Sequence, residues 1–185
     1  LTFPEPFGEL EAFQTSGGTS TLPQTLLGKI PYLDYKTIRY KGHCAQMRLL
    51  HELGLTDSRP REFAGGKVAP REVLASCMQD KLDLPGPDVV LTLIEAEGWN
   101  EDEQAVRHTI RIIDHHDTEN GISAMMRMTG YPAAIIATML ASGEVAATGA
   151  CRQETIIPGD RMIAALRSRG VAVEELRGEP GDPAW

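Results

Sequence analysis

Hydrophobic positions along the chain switch between period two and a helical period, with glycine and proline marking most of the changes. Leu10 to Phe13 reads as a short strand, broken by Thr15-Ser16-Gly17-Gly18-Thr19-Ser20, whose adjacent glycines let backbone approach a ligand closely. Ser20 or Thr21 is placed to cap a short helix running to Leu27, with Gly28 ending it and Pro31 beyond. Tyr32 to Tyr40 alternates, with Leu33, Tyr35, Thr37 and Arg39 on one side and Asp34, Lys36, Ile38 and Tyr40 on the other. That pattern predicts a strand, which Gly42 breaks. Met47, Leu50 and Leu53 predict a helix from His43 or Cys44 to Leu53, stopped by Gly54. Thr56 to Gly66 is polar and expected to be loop, and Ala69-Pro70 opens a helix through about Lys81, before Pro85-Gly86-Pro87.

The second half carries the clearest strands. Asp88 to Ala96 and Gln104 to Asp114 predict a hairpin across the polar link Glu97 to Glu103, with Val106, His108, Ile110 and Ile112 sharing a face. Ile122 to Met128 predicts a further short strand. Pro132 is expected to start a helix ending near Ser142; it has no charged residue, so it must be buried or covered. Pro158, with Asp160 as cap, begins a helix using Met162, Ile163 and Leu166, and Gly170 closes it. Val171 to Leu176 reads as a last strand and Gly178 to Trp185 as a frayed tail. A hairpin without regular βαβ alternation makes the predicted class α+β.

Composition adds bounds. The chain has 185 residues, 42% hydrophobic and 24% charged, enough for one substantial core and an expected single domain. Its formal net charge of -8 gives no general attraction to phosphate backbones or anionic lipid, so nucleic acid and membrane surfaces are not expected partners. Cys44, Cys77 and Cys151 are far apart and form no CxxC pair, which suits reduced thiols in a cytoplasmic protein. The longest uncharged run, Gly130 to Gly143, is too short to span a bilayer, and no leader pattern is visible. A start on Leu1 fits a piece of a larger intracellular protein.

Neither GxGxxG nor GxxxxGK[ST] occurs, so the usual dinucleotide and phosphate cradles are missing from this sequence. Asp114-His115-His116-Asp117 suggests metal, but neighbouring histidines on a strand point to opposite faces, and no metal site is expected. Arg39-Tyr40-Lys41-Gly42-His43 lies between a strand end and a helix start, where unused backbone donors can receive an anion. Arg39 supplies a planar fork for a carboxylate and His43 an acid or base near neutral pH. A surface arginine and a helix-capping histidine account for the same pattern.

Gly8 to Leu22, followed by Lys36-Thr37-Ile38-Arg39-Tyr40-Lys41-Gly42-His43, resembles the C-terminal domain of the saccharopine dehydrogenase family. Thr129-Gly130-Tyr131-Pro132-Ala133-Ala134 and Arg167-Ser168-Arg169-Gly170-Val171 fit the same pattern, so the resemblance covers nearly the whole chain. It implies a two-layer, mixed but largely antiparallel sheet with helices on one face, like the C-terminal domain of glyceraldehyde-3-phosphate dehydrogenase. It also implies the substrate-binding and dimerising part of an NAD or NADP-dependent amino-acid oxidoreductase, whose Rossmann domain precedes this segment and holds the dinucleotide. A homodimer is expected.

The branch most resembled is the lysine 6-dehydrogenase-like one. Ser16, Gly17 and Gly18 stand where true saccharopine reductases tend to carry an arginine, which favours a smaller or less acidic substrate. On this resemblance Arg39 takes a substrate carboxylate and His43 is the candidate base or polar anchor. Thr37, Tyr40, Gln14, Thr15, Ser16, Gly17, Gly18 and Thr19 line the cleft, and Arg127 is either a further anion contact or a member of a surface salt bridge. Saccharopine or carboxynorspermidine remain alternative substrates, and a non-catalytic ligand-binding or dimerisation module is the alternative of another class.

Overall fold

The computed structural model describes residues 1–15, 18–82 and 86–181. In chain order the elements are β1 (Thr2–Phe3), β2 (Gly8–Phe13), α1 (Leu22–Leu26), β3 (Thr37–Tyr40), α2 (His43–Glu52), β4 (Arg61–Phe63), β5 (Gly66–Val68), α3 (Pro70–Leu82), β6 (Val89–Trp99), β7 (Ala105–His115), α4 (Ala124–Ala141), α5 (Gln153–Ile156), α6 (Gly159–Arg167) and β8 (Val173–Gly178). The class is α+β. Among the described residues the strands fall into three sheets, β1-β2-β3, β4-β5 and β6-β7-β8, and every pairing is antiparallel. Two compact units form, one from Leu1–Gly18 and Asp34–Gly86, the other from Thr19–Leu33 and the chain from Pro87.

In the first unit β2 is the central strand, and Phe3 and Leu10 are buried. Glu11 pairs with Arg39 and Phe13 with Thr37. Beyond Phe13 the partner strand ends, so β3 starts at Thr37 and the strand expected from Tyr32 is shortened to four residues. Gly42, at φ 97, turns the chain into α2, a conformation that favours glycine. The expected loop over Thr56 to Gly66 contains instead a short hairpin, β4 with β5. Asp57 braces its approach by accepting from the Arg59 and Arg61 guanidinium groups, both at 3.0 Å. Those donors, Arg59 first, hold the Asp57 carboxyl well below its ordinary range.

The second unit is built on the β6–β7 hairpin, whose register runs from Val89 opposite His115 to Trp99 opposite Ala105. Its link is tightened by the Asn100 side chain, which accepts from the Asp102 and Gln104 backbone N–H groups. Ile112 and Val173 pack with Ile135 and Met139 of α4 and Leu166 of α6, so these helices cover the sheet face predicted from the alternation in β7. Thr21, expected as a cap for α1, makes no capping bond; its hydroxyl and that of Thr25 donate to Glu154.

Two expectations fail between Ile122 and Ser142. Ile122 to Met128 is no strand, because α4 begins at Ala124 under Ser123, whose hydroxyl accepts from the Met126 N–H at 3.0 Å. Pro132 lies inside α4 rather than at its start. The tail expected over 178–185 begins at the last residue of β8, and residues 182–185 lie outside the described ones. Among the described residues no helix is long and apolar enough to cross a membrane.

Candidate functional site

Directly opposed residues of an antiparallel pair share a sheet face. Phe13, Glu11, Thr37 and Arg39 therefore stand on one face of the β2–β3 ladder, and α2 starts beside them. The start of α2 is not free. One Glu11 oxygen accepts from the Gly42 N–H at 3.0 Å and the other from the Cys44 N–H at 2.5 Å. This carboxylate performs from a neighbouring strand the capping that Gly42, lacking a side chain, cannot supply. Its donors, Cys44 ahead of Gly42, hold the Glu11 carboxyl below its ordinary range, and His43 nearby adds a smaller effect in the same direction. The helix start expected to receive a substrate anion is thus already occupied by a protein carboxylate. Only a contact more than thirty residues away in sequence explains this, and no local pattern signals it.

The other predicted residues are placed as follows. The Thr15 and Thr37 hydroxyls share a 2.7 Å hydrogen bond. His43, the first residue of α2, stacks on Phe13 with ring centroids 6.0 Å apart. Arg39 is exposed; one of its nitrogens donates to the Ile38 carbonyl at 2.8 Å, and it forms no ion pair among the described residues. Gln14 is exposed, and Tyr40, 65% exposed, pairs with Leu10 on the opposite face from Arg39. A Cβ on Gly18 would overlap the Tyr35 ring, which would have to swing aside to admit it. Ser16 and Gly17 lie outside the described residues, and Thr19 belongs to the second unit, where its carbonyl receives the Leu22 N–H.

Arg127, read as an anion contact or a salt-bridge member, forms ion pairs within the second unit. It sits on α4 and is 8% exposed. Its guanidinium grips Asp114 through two bonds of 2.9 and 3.2 Å. It also donates to Asp117 at 3.4 Å and to the Gly170 carbonyl at 3.3 Å, and lies over the Tyr131 ring. Asp114 follows Ile110 and Ile112 on the β7 face that meets α4, which is why the pair forms. Asp117, the other carboxylate of the Asp-His-His-Asp run, is taken up by the Asn120 side chain and backbone. Among the described residues no group of His, Cys, Asp and Glu gathers as a metal would require.

Asp88 repeats the Glu11 arrangement at the second helix start. It accepts from the Ala124 N–H at 2.7 Å and the Met125 N–H at 2.9 Å, with the His116 ring 3.5 Å away. Burial works to raise the Asp88 carboxyl, but the donors of Met125 and Ala124 prevail and hold it below its ordinary range. Carboxylates at the starts of α2 and α4 would repel a pyrophosphate, so neither offers a dinucleotide cradle.

The β2–β3 face and the start of α2 therefore carry an exposed cation, two hydroxyls, an imidazole and a carboxylate fixed by backbone. The family model for the saccharopine dehydrogenase C-terminal domain matches residues 1–171. The chain belongs to that family, which is one of dehydrogenases and places it among amino-acid oxidoreductase-type domains.

Proposed function

We propose that this domain is the substrate-binding part of an NAD(P)-dependent oxidoreductase that oxidises the terminal amine of lysine. The observation that carries the reading is the β2–β3 register, with Arg39, Thr37 and Thr15 on the side where His43 opens α2. Arg39 takes the α-carboxylate by a planar two-point grip. The hydroxyls of Thr15 and Thr37, with Gln14, line the adjoining wall, and Gly18 keeps it close.

His43 holds the polar end of the substrate or takes its proton, since hydride can leave only from a carbon whose amine is unprotonated. Its stacking on Phe13 restricts the ring. Enzymes of the family typically use NAD(P). The starts of α2 and α4 are already taken by Glu11 and Asp88, and in this reading the dinucleotide belongs on a Rossmann domain elsewhere in the parent enzyme, which works as a cytoplasmic homodimer.

The test is steady-state turnover of the full-length enzyme with lysine, saccharopine and carboxynorspermidine, each with NAD and with NADP. Lysine is expected to give the highest kcat/KM. Preference for saccharopine or carboxynorspermidine keeps the family chemistry but replaces the substrate, and no turnover of any of them refutes the enzyme reading.

A further inference from the structure

Glu11 and Arg39 are direct cross-strand partners, whose Cβ atoms are expected to stand about 5 Å apart. Opposite charges so placed normally close on each other. Here they form no ion pair: Glu11 is drawn to the Gly42 and Cys44 N–H groups and Arg39 leans on the Ile38 carbonyl. A negative and a positive group therefore sit side by side, each fixed by backbone and each with capacity left. An ionised carboxylate has roughly four acceptor positions, of which backbone occupies two here. The guanidinium has five donors, and a single one is used in the contact with Ile38.

We propose that Glu11 and Arg39 form a clamp for the zwitterionic head of an α-amino acid, Arg39 holding the α-carboxylate and Glu11 the α-ammonium. This deepens the proposed function and rests on its assignment of Arg39. The two charges of an α-amino acid are carried on one carbon, and Glu11 and Arg39, as direct cross-strand partners, offer one group of each opposite sign side by side. The backbone donors that hold Glu11 favour its ionised form, so it carries its charge at neutral pH, where an α-ammonium is charged too. The clamp selects an amino acid over an amine or a simple amino-carboxylate of the same length, and it leaves the far end of the side chain to His43.

The experiment compares lysine with 6-aminohexanoate, which keeps the carboxylate and the reacting amine but lacks the α-amino group. In the full-length enzyme, kcat/KM for lysine is expected to exceed that for 6-aminohexanoate by roughly ten- to a hundredfold, the range of a hydrogen bond to a charged group. Glu11→Gln, whose single amide oxygen keeps one of the two bonds that cap α2, is expected to bring the ratio to within about threefold of one. A wild-type ratio near one overturns the clamp without any variant, and a ratio unchanged in Glu11→Gln overturns it as well. Arg39→Ala is expected to lower kcat/KM for both compounds. If it lowers neither while Glu11→Gln still removes the preference, the Arg39 assignment fails and the Glu11 contact stands. If lysine is not turned over, the proposed function falls and the clamp with it.

Discussion

Arg127→Met tests whether the Arg127–Asp114 pair is structural. Methionine keeps much of the stem that packs along α4 but removes the fork. Asp114, 3% exposed, is then left on the face it shares with Ile110 and Ile112 without its bidentate partner. Removing one member of a buried pair costs about 3–5 kcal/mol, because the remaining charge keeps its desolvation penalty. Loss of the bond to the Gly170 carbonyl lies within that range, at about 1 kcal/mol.

For a chain of this length each kcal/mol moves Tm by about 2–4 °C, so the expected shift is roughly 6–20 °C. Since the chain folds as two units, unfolding is best followed by hydrogen exchange at amides of α4 and β7. The double variant Asp114→Leu with Arg127→Met should recover most of the loss, since replacing both partners by apolar groups is often close to neutral. A single variant within about 1 kcal/mol of wild type would refute the reasoning. So would a double variant as unstable as the two singles added together.

Acid should act on the start of α2. The Glu11 carboxyl is depressed in the folded state, so its contribution is complete above its ordinary value and fades as pH falls from roughly 5 through the lowered one. The Gly42 and Cys44 amide proton shifts should therefore titrate with a midpoint below that of an ordinary glutamate; an ordinary midpoint would contradict the capping role. Gly42→Ala should destabilise by about 1–2 kcal/mol through backbone strain alone, since φ is 97 and a Cβ there meets nothing within 4 Å; thermal unfolding measures it. Arg39→Ala in the full-length enzyme should raise KM and lower kcat/KM by an amount equivalent to about 2–4 kcal/mol. Unchanged kcat/KM removes Arg39 from the site.

Where alternation or helical spacing persists over a whole element, the sequence was legible. The β6–β7 hairpin and α2 stand within a few residues of their predicted limits, because each is supported by its own pattern. Failures cluster where a partner distant in sequence decides. Ile122, Ala124, Met126 and Met128 alternate as a strand would, yet Ser123 and Asp88 together satisfy the first amides of a helix instead. The rule that places proline in the first helical turn misled at Pro132, since a proline deeper in a helix forfeits one donor and that loss is bearable in a helix of 18 residues. The hairpin β4–β5, three residues a side, is too short to show a period. At the site, Thr37, Arg39 and His43 were legible as residue types. Glu11 was not, because its chemistry is created by the fold.

That omission bears on why Arg39 stays open at all. In a chain of net charge -8, with a glutamate directly across the ladder, an exposed arginine would ordinarily be neutralised by its neighbour. The left-handed turn at Gly42 aims the first amides of α2 at Glu11, and two backbone donors outcompete a solvent-screened ion pair of at most about 1 kcal/mol. The helix cap and the availability of Arg39 are thus one arrangement. Any change that releases Glu11 from α2 while keeping its charge, such as straightening the Gly42 turn, frees it to close on Arg39 and compete with a substrate carboxylate for the same fork. Gly42→Ala should consequently raise KM in the full-length enzyme more than it lowers kcat. A purely structural lesion would instead reduce the amount of active enzyme and leave KM alone.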